Sequence, residues 1–237
     1  MKLVIANRNY SSWSLRPWLL LTQFGIPFEE VVVPFGPTFD DPAWKRVIAE
    51  YSPAGKVPVL IDGGIQIWES LSIMEYIADA RPDLLIWPRD PAARAMARSV
   101  SSEMHAGFSA LRGACPMNLA WVHPERDRGP KVAADVSRIS AIWREARERF
   151  GAGGPFLFGA FSAADAMFAP VVARLSGYSI PLDPVCADYV SAVAATKSYQ
   201  VWRDAALAEP WIVAEDEVDE PVLTDFRPHL TASRASS

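Results

Sequence analysis

Runs of apolar and β-branched residues long enough for a strand are confined to the stretch before residue 70, and beyond the proline-flanked segment Pro88-Arg89-Asp90-Pro91 the chain turns alanine-rich and helical in pattern. This change of texture predicts an α/β unit followed by an all-α unit. Residues 3–6 form a continuous apolar run, as in a strand buried on both faces. Residues 15–24 then read as a helix, with Pro17 suited to its first turn and Gly25 as its stop, and residues 28–33 as a second strand. A helix over 43–50 ends before Ser52-Pro53-Ala54-Gly55. Strands at 57–61 and 65–68 flank the turn Asp62-Gly63-Gly64, and Ser70 opens a helix with Leu71, Ile73, Met74 and Ile77 on one face. The order is βαβ, helix, ββα. Helical stretches follow at 92–111, 131–150, 163–175, 184–196 and 199–208, and the acidic, proline-containing residues 215–237 are expected to wrap the surface or stay disordered.

Composition narrows the function. The 237 residues are half apolar and 22% charged, enough to bury a core, and a net charge of −5 leaves no basic surface for nucleic acid or anionic lipid. Cys115 and Cys186 form no CxxC pair and no metal-ligand spacing, so neither a dithiol site nor a metal site is expected. No apolar run approaches the ~18 residues of a membrane span, and Asn7-Arg8-Asn9 cuts off the opening run before it reaches signal-peptide length. A cytoplasmic protein is expected.

Three short segments carry chemistry. Ser11-Ser12-Trp13-Ser14-Leu15-Arg16 joins the first strand to the first helix, at the carboxyl ends of the strands where α/β sheets bind ligands. Its serines either cap the helix or offer a hydroxyl to an anion such as a thiolate. Lys56-Val57-Pro58 places a proline at the entry of a central strand. A trans bond there marks the strand start, whereas a cis bond frees the Val57 backbone to pair with an extended peptide. Glu69-Ser70 opens the next helix, as a cap with an acidic first turn or as a match for the ammonium and carboxylate of an amino acid.

In this order, and with a helical second half, the three segments resemble those of a glutathione transferase over roughly residues 1–210. The resemblance implies a thioredoxin-like glutathione-binding domain at 1–82, a linker at 83–91, an all-helical substrate-binding domain at 92–214 and a tail at 215–237. It also implies glutathione as cosubstrate, no metal, a small electrophilic second substrate and a homodimer. Ser162-Ala163-Ala164-Asp165 is similar to the family's structural capping box.

Ser11 aligns with the activating serine of the zeta class and Ser12 with that of theta-like members, so either is the candidate for the thiol. Lys56, Val57, Pro58, Glu69 and Ser70 are the expected glutathione contacts. Trp13 stands where the zeta motif has cysteine and Gly177 near its substrate-binding arginine; both depart from maleylacetoacetate isomerases. Trp13, Met104, His105, Phe108 and Arg112 are expected to face the second substrate, the last four from one helical stripe. Arg8 and Arg112 would favour an acidic electrophile. Conjugation leads, with isomerisation and a non-catalytic binding protein as alternatives.

Overall fold

The computed structural model describes residues 1–36 and 38–227. The amino-terminal unit runs β1 (Lys2–Ile5), α1 (Ser12–Gln23), β2 (Glu29–Val32), α2 (Pro42–Ala49), β3 (Val59–Asp62), β4 (Ile65–Trp68) and α3 (Ser70–Ala80). Its sheet has the order β2-β1-β3-β4. β1 is parallel to β2 and antiparallel to β3, with Leu3 opposite Leu60, and β3 is antiparallel to β4. This is the expected thioredoxin-like arrangement. Leu3, Ile5 and Leu60 are fully buried under α1 and α3, as a continuous apolar run requires.

The helical unit comprises α4 (Pro91–Ala106), α5 (Ser109–Ala114), α6 (Pro130–Phe150), α7 (Ala163–Gly177), α8 (Pro184–Ala194) and α9 (Lys197–Ala208). Helix starts follow local chemistry: Asp90, Asp183 and Thr196 accept from the backbone N–H three residues on, and Pro91 and Pro184 fill first-turn positions whose N–H has no intrahelical partner. The Ser162-Asp165 capping box forms at the start of α7.

Three expectations need correction. α1 begins at Ser12 rather than near residue 15, so Pro17 lies inside the helix and not in its first turn. The single helix expected over 92–111 is two, because Phe108 adopts a left-handed backbone (φ 59°) between α4 and α5. Strands do recur after residue 90: β5 (Trp121–Val122) pairs with β6 (Thr224–Asp225). The described part of the expected tail, residues 215–227, takes the first of its two expected courses and wraps back on the molecule. Tyr10 donates to Glu217 (2.6 Å), and Arg227 donates to the Tyr10 hydroxyl (3.1 Å). Residues 228–237 of the expected tail lie outside the described residues. Ile86 and Trp87, within the expected linker, are buried, and Ile86 accepts the Ala163 N–H at 2.8 Å.

α7 is the axis of the helical unit, buried on nearly every side, and it packs on α1. Arg16 of α1, fully buried, donates from Nε to the Met167 carbonyl (3.0 Å) and from Nη1 to the Ser12 carbonyl (3.2 Å). These bonds fix the start of α1 against the helical unit.

Candidate active site

A cleft of about 880 Å³ lies between the two units, and a smaller arm of about 210 Å³ shares five of its lining residues. That size suits a small-molecule site. The main cleft is lined by Ser11, Ser12, Trp13, Lys56, Val57 and Arg112, among others. The arm adds Pro58, Trp68, Glu69, Ser70 and His105. All three sequence segments therefore meet at one place. Met104 and Phe108 do not join them: both are buried in the core and line neither part.

The turn before α1 is held from several sides. Ser11 N–H donates to the Asn7 carbonyl (2.8 Å), and Asn7 Oδ1 accepts from Phe35 N–H. Ser11 stands at the N-cap position, yet its hydroxyl makes no cap bond. It lies instead 2.7 Å from the Ser14 hydroxyl, and Ser14 Oγ accepts the Ala6 N–H (3.2 Å). Either hydroxyl can donate in this pair, and in the arrangement where Ser14 donates to Ser11 Oγ the Ser11 proton is left for a ligand. Tyr10 also borders the cleft, but Glu217 and Arg227 engage its phenol, and burial with the Glu217 bond pushes it up to about 12.

On the opposite wall, Val57–Pro58 is cis. Lys56 N–H donates to the Ser52 hydroxyl (3.0 Å). Glu69 has a left-handed backbone (φ 66°) without being glycine, a conformation costing about 1–3 kcal/mol that surrounding structure must hold. It places Ser70 at the first position of α3, fully buried, with its hydroxyl directed at the Met167 sulfur (3.9 Å). Glu69 Oε2 lies 3.4 Å from His105 Nε2. Burial lowers the His105 pKa, Glu69 opposes the shift, and Arg16 and Arg112 add to it.

Trp13 divides the cleft. The Arg16 guanidinium lies 4.1 Å from its ring centre and that of Arg112 4.7 Å, with His105 edge-on at 5.2 Å. Arg8, expected to face an acidic electrophile, points elsewhere: it pairs with Glu30 and with Glu209. Gly177 faces the backbone carbonyls of Trp121 and Asn118 rather than the cleft.

Sequence reasoning missed Arg174 and Asp216, both of which line the main cleft. An arginine in the otherwise apolar run Ala169-Pro170-Val171-Val172-Ala173-Arg174-Leu175 was a readable signal, since such a charge is kept inside only when something satisfies it. Asp216 carries no such signal in its acidic segment. Burial pushes its carboxyl up to about 7. Among the described residues no cluster of metal-ligating side chains is present. Both cysteines are buried, with thiols pushed up to about 11, so neither is an activated nucleophile.

Comparison with known proteins agrees with this layout. Residues 10–80 match the family model described as glutathione S-transferase, N-terminal domain, and residues 129–195 that of the C-terminal domain. Maleylacetoacetate isomerase of Rattus norvegicus is 26% identical over 179 residues, spanning 75% of this chain and 79% of the rat protein. A probable maleylacetoacetate isomerase of Caenorhabditis elegans is 40% identical, over 28% of this chain and 31% of its own length. A glutathione transferase homologue from Burkholderia, solved with bound glutathione, superposes with a TM-score of 0.66 at 21% identity, covering 86% of this chain and 97% of that one. Both units of the fold match in order, and together the two matches span more than half the chain: it belongs to the glutathione S-transferase family of enzymes.

Proposed function

We propose that the cleft binds glutathione and activates its thiol with a serine hydroxyl, Ser11, for attack on a small electrophile. The observation that carries this reading is the convergence of Ser11 and Ser12, Lys56 to Pro58, and Glu69 with Ser70 on one cleft and its side arm. In the arm, Glu69 suits the ammonium of the γ-glutamyl group, and the Ser70 hydroxyl at the amino end of α3 suits its carboxylate. Lys56 suits the glycine carboxylate, and the Val57 backbone suits pairing with the extended cysteinyl residue.

A thiol with a pKa of about 8.5 is only a few per cent thiolate at pH 7. Lowering that value by one to two units takes about 1.4 to 2.8 kcal/mol of preferential thiolate stabilisation. A hydroxyl bond from Ser11, relayed from Ala6 N–H through Ser14, is of that size at a helix amino terminus. The thiol proton passes to water, the thiolate forms a bond to the electrophilic carbon, and the bond from that carbon to the leaving group breaks with its electron pair on the leaving group. A homodimer in the cytoplasm belongs to the same reading and rests on the family alone.

Isomerisation of a maleylacetoacetate-type substrate is a second reading, favoured by the isomerase names of the rat and worm relatives. The test is calorimetry with glutathione followed by turnover with aryl halides and maleylacetone. One glutathione per chain is expected, and no binding at millimolar glutathione would overturn the reading. Conversion of maleylacetone without conjugation of any halide would favour isomerisation over conjugation.

A further inference from the structure

Three guanidiniums gather at the cleft: Arg16 and Arg112, both at the Trp13 ring (4.1 and 4.7 Å), and Arg174 from the last turn of α7. Among the described residues no carboxylate lies within 4 Å of any of them. Arg174 is 5% exposed. Its Nε donates to the Cys115 carbonyl (2.9 Å) and its Nη1 to the Pro170 carbonyl (3.4 Å), so backbone groups on two elements fix the plane of the guanidinium where it borders the cleft. Arg112 makes one long bond, to the Gly107 carbonyl (3.4 Å). Burial and, after it, the nearby Arg112 pull Arg174 down to about 10, against the opposing attraction of Asp216. The nearby carboxyl is Asp216, which lines the same cleft, lies outside ion-pair distance of Arg174, and is pushed up to about 7 by burial with Arg174 opposing the shift.

Resting on the glutathione reading above, we infer that Arg174, with Arg112, forms an anion subsite at the electrophile end of the cleft, and that the preferred second substrate is an electrophile bearing a carboxylate. The two ends of the cleft separate the roles. Arg174 borders only the main cleft, away from Glu69 and Ser70, whereas Arg112 borders both parts. An incoming carboxylate neutralises charges the fold already holds in place, so it gains attraction without ordering a flexible side chain. An uncharged electrophile of the same shape leaves Arg174 unpaired.

Calorimetry of the full chain tests this with three ligands: glutathione, S-(4-carboxybenzyl)glutathione and S-(4-methylbenzyl)glutathione. The quantity read is the ratio of affinities for the two conjugates, from which the shared glutathione part cancels. The expected ratio favours the carboxylate by about tenfold or more, as for a charge-assisted hydrogen bond. It should collapse toward one in Arg174→Gln. Should that variant fail to fold, Arg112→Gln, at a half-buried position, is expected to reduce the ratio severalfold. Equal binding of the two conjugates to the parent chain, or a ratio that survives whichever substitution folds, overturns the subsite and leaves the glutathione reading standing. Absence of binding by all three ligands overturns both.

Discussion

Arg8 and Glu209, 201 residues apart, are joined twice: the Glu209 carboxylate accepts the Arg8 backbone N–H at 2.7 Å and its Nη1 at 2.8 Å. Arg8 reaches Glu30 of β2 with its other arm, and its carbonyl accepts the Trp202 indole N–H (3.1 Å). The residue that leads into the serine turn is thus clamped by the start and the end of the fold. Glu209→Ala should cost about 1–3 kcal/mol in urea denaturation, because a part-buried guanidinium and a backbone donor both lose their acceptor. Glu209→Gln, which keeps one oxygen, should cost less. Equal midpoints for the parent and Glu209→Ala would show that the clamp contributes nothing.

The hydrogen-bond relay assigns different weights to the two candidate serines. Ser11→Ala should slow conjugation by about tenfold or more and raise the pH at which bound thiol ionises by about one unit, since thiolate stabilisation and pKa are the same free energy. Ser12→Ala should do less on both counts. Ultraviolet titration of the thiolate in the bound complex reads the shift directly, and a larger effect for Ser12→Ala would reverse the assignment.

Asp165 organises the start of α7 by accepting from Ser162 N–H (2.8 Å), Ser162 Oγ (3.0 Å) and Leu157 N–H (3.1 Å). Desolvation outweighs these bonds and pushes its carboxyl up to about 6. An unfolded aspartate titrates near 3.9, so the stability linked to this proton is complete below about pH 4 and is lost as pH rises through about 6. Asp165→Asn should destabilise by about 1–3 kcal/mol, with the gap to the parent widest near pH 4 and narrowing by pH 7. A gap that widens with pH would contradict the sign. Ser162→Ala should cost about 1 kcal/mol by the same denaturation measurement.

His105 should titrate below the ordinary histidine value in a proton NMR experiment. Its lowering by burial exceeds the opposing effect of the Glu69 carboxylate at 3.4 Å. Glu69→Gln should lower the midpoint further, and Arg112→Gln should raise it. A midpoint above 6.5 in the parent chain would mean that the ring is more solvated than the cleft geometry implies.

The sequence by itself determined the element order of the amino-terminal unit, the helical second half, and the three segments that meet at the cleft. Each of these is set by local rules: residue periodicity, helix caps, a proline at a strand entry, a Ser-x-x-Asp box. Periodicity says which residues share a face and not what that face meets, so Met104 and Phe108 went to the core while Arg112, past the break at Phe108, reached the cleft. Arg8 was drawn off by Glu209, a partner that sequence separation hides. Only the tertiary structure brought Arg174 and Asp216 to the site, because the long-range packing of α7 and of residues 209–227 decides where a buried charge can rest. The enzyme family and Arg112 at the cleft were legible in the chain's own order of residues; Arg174 beside it was not.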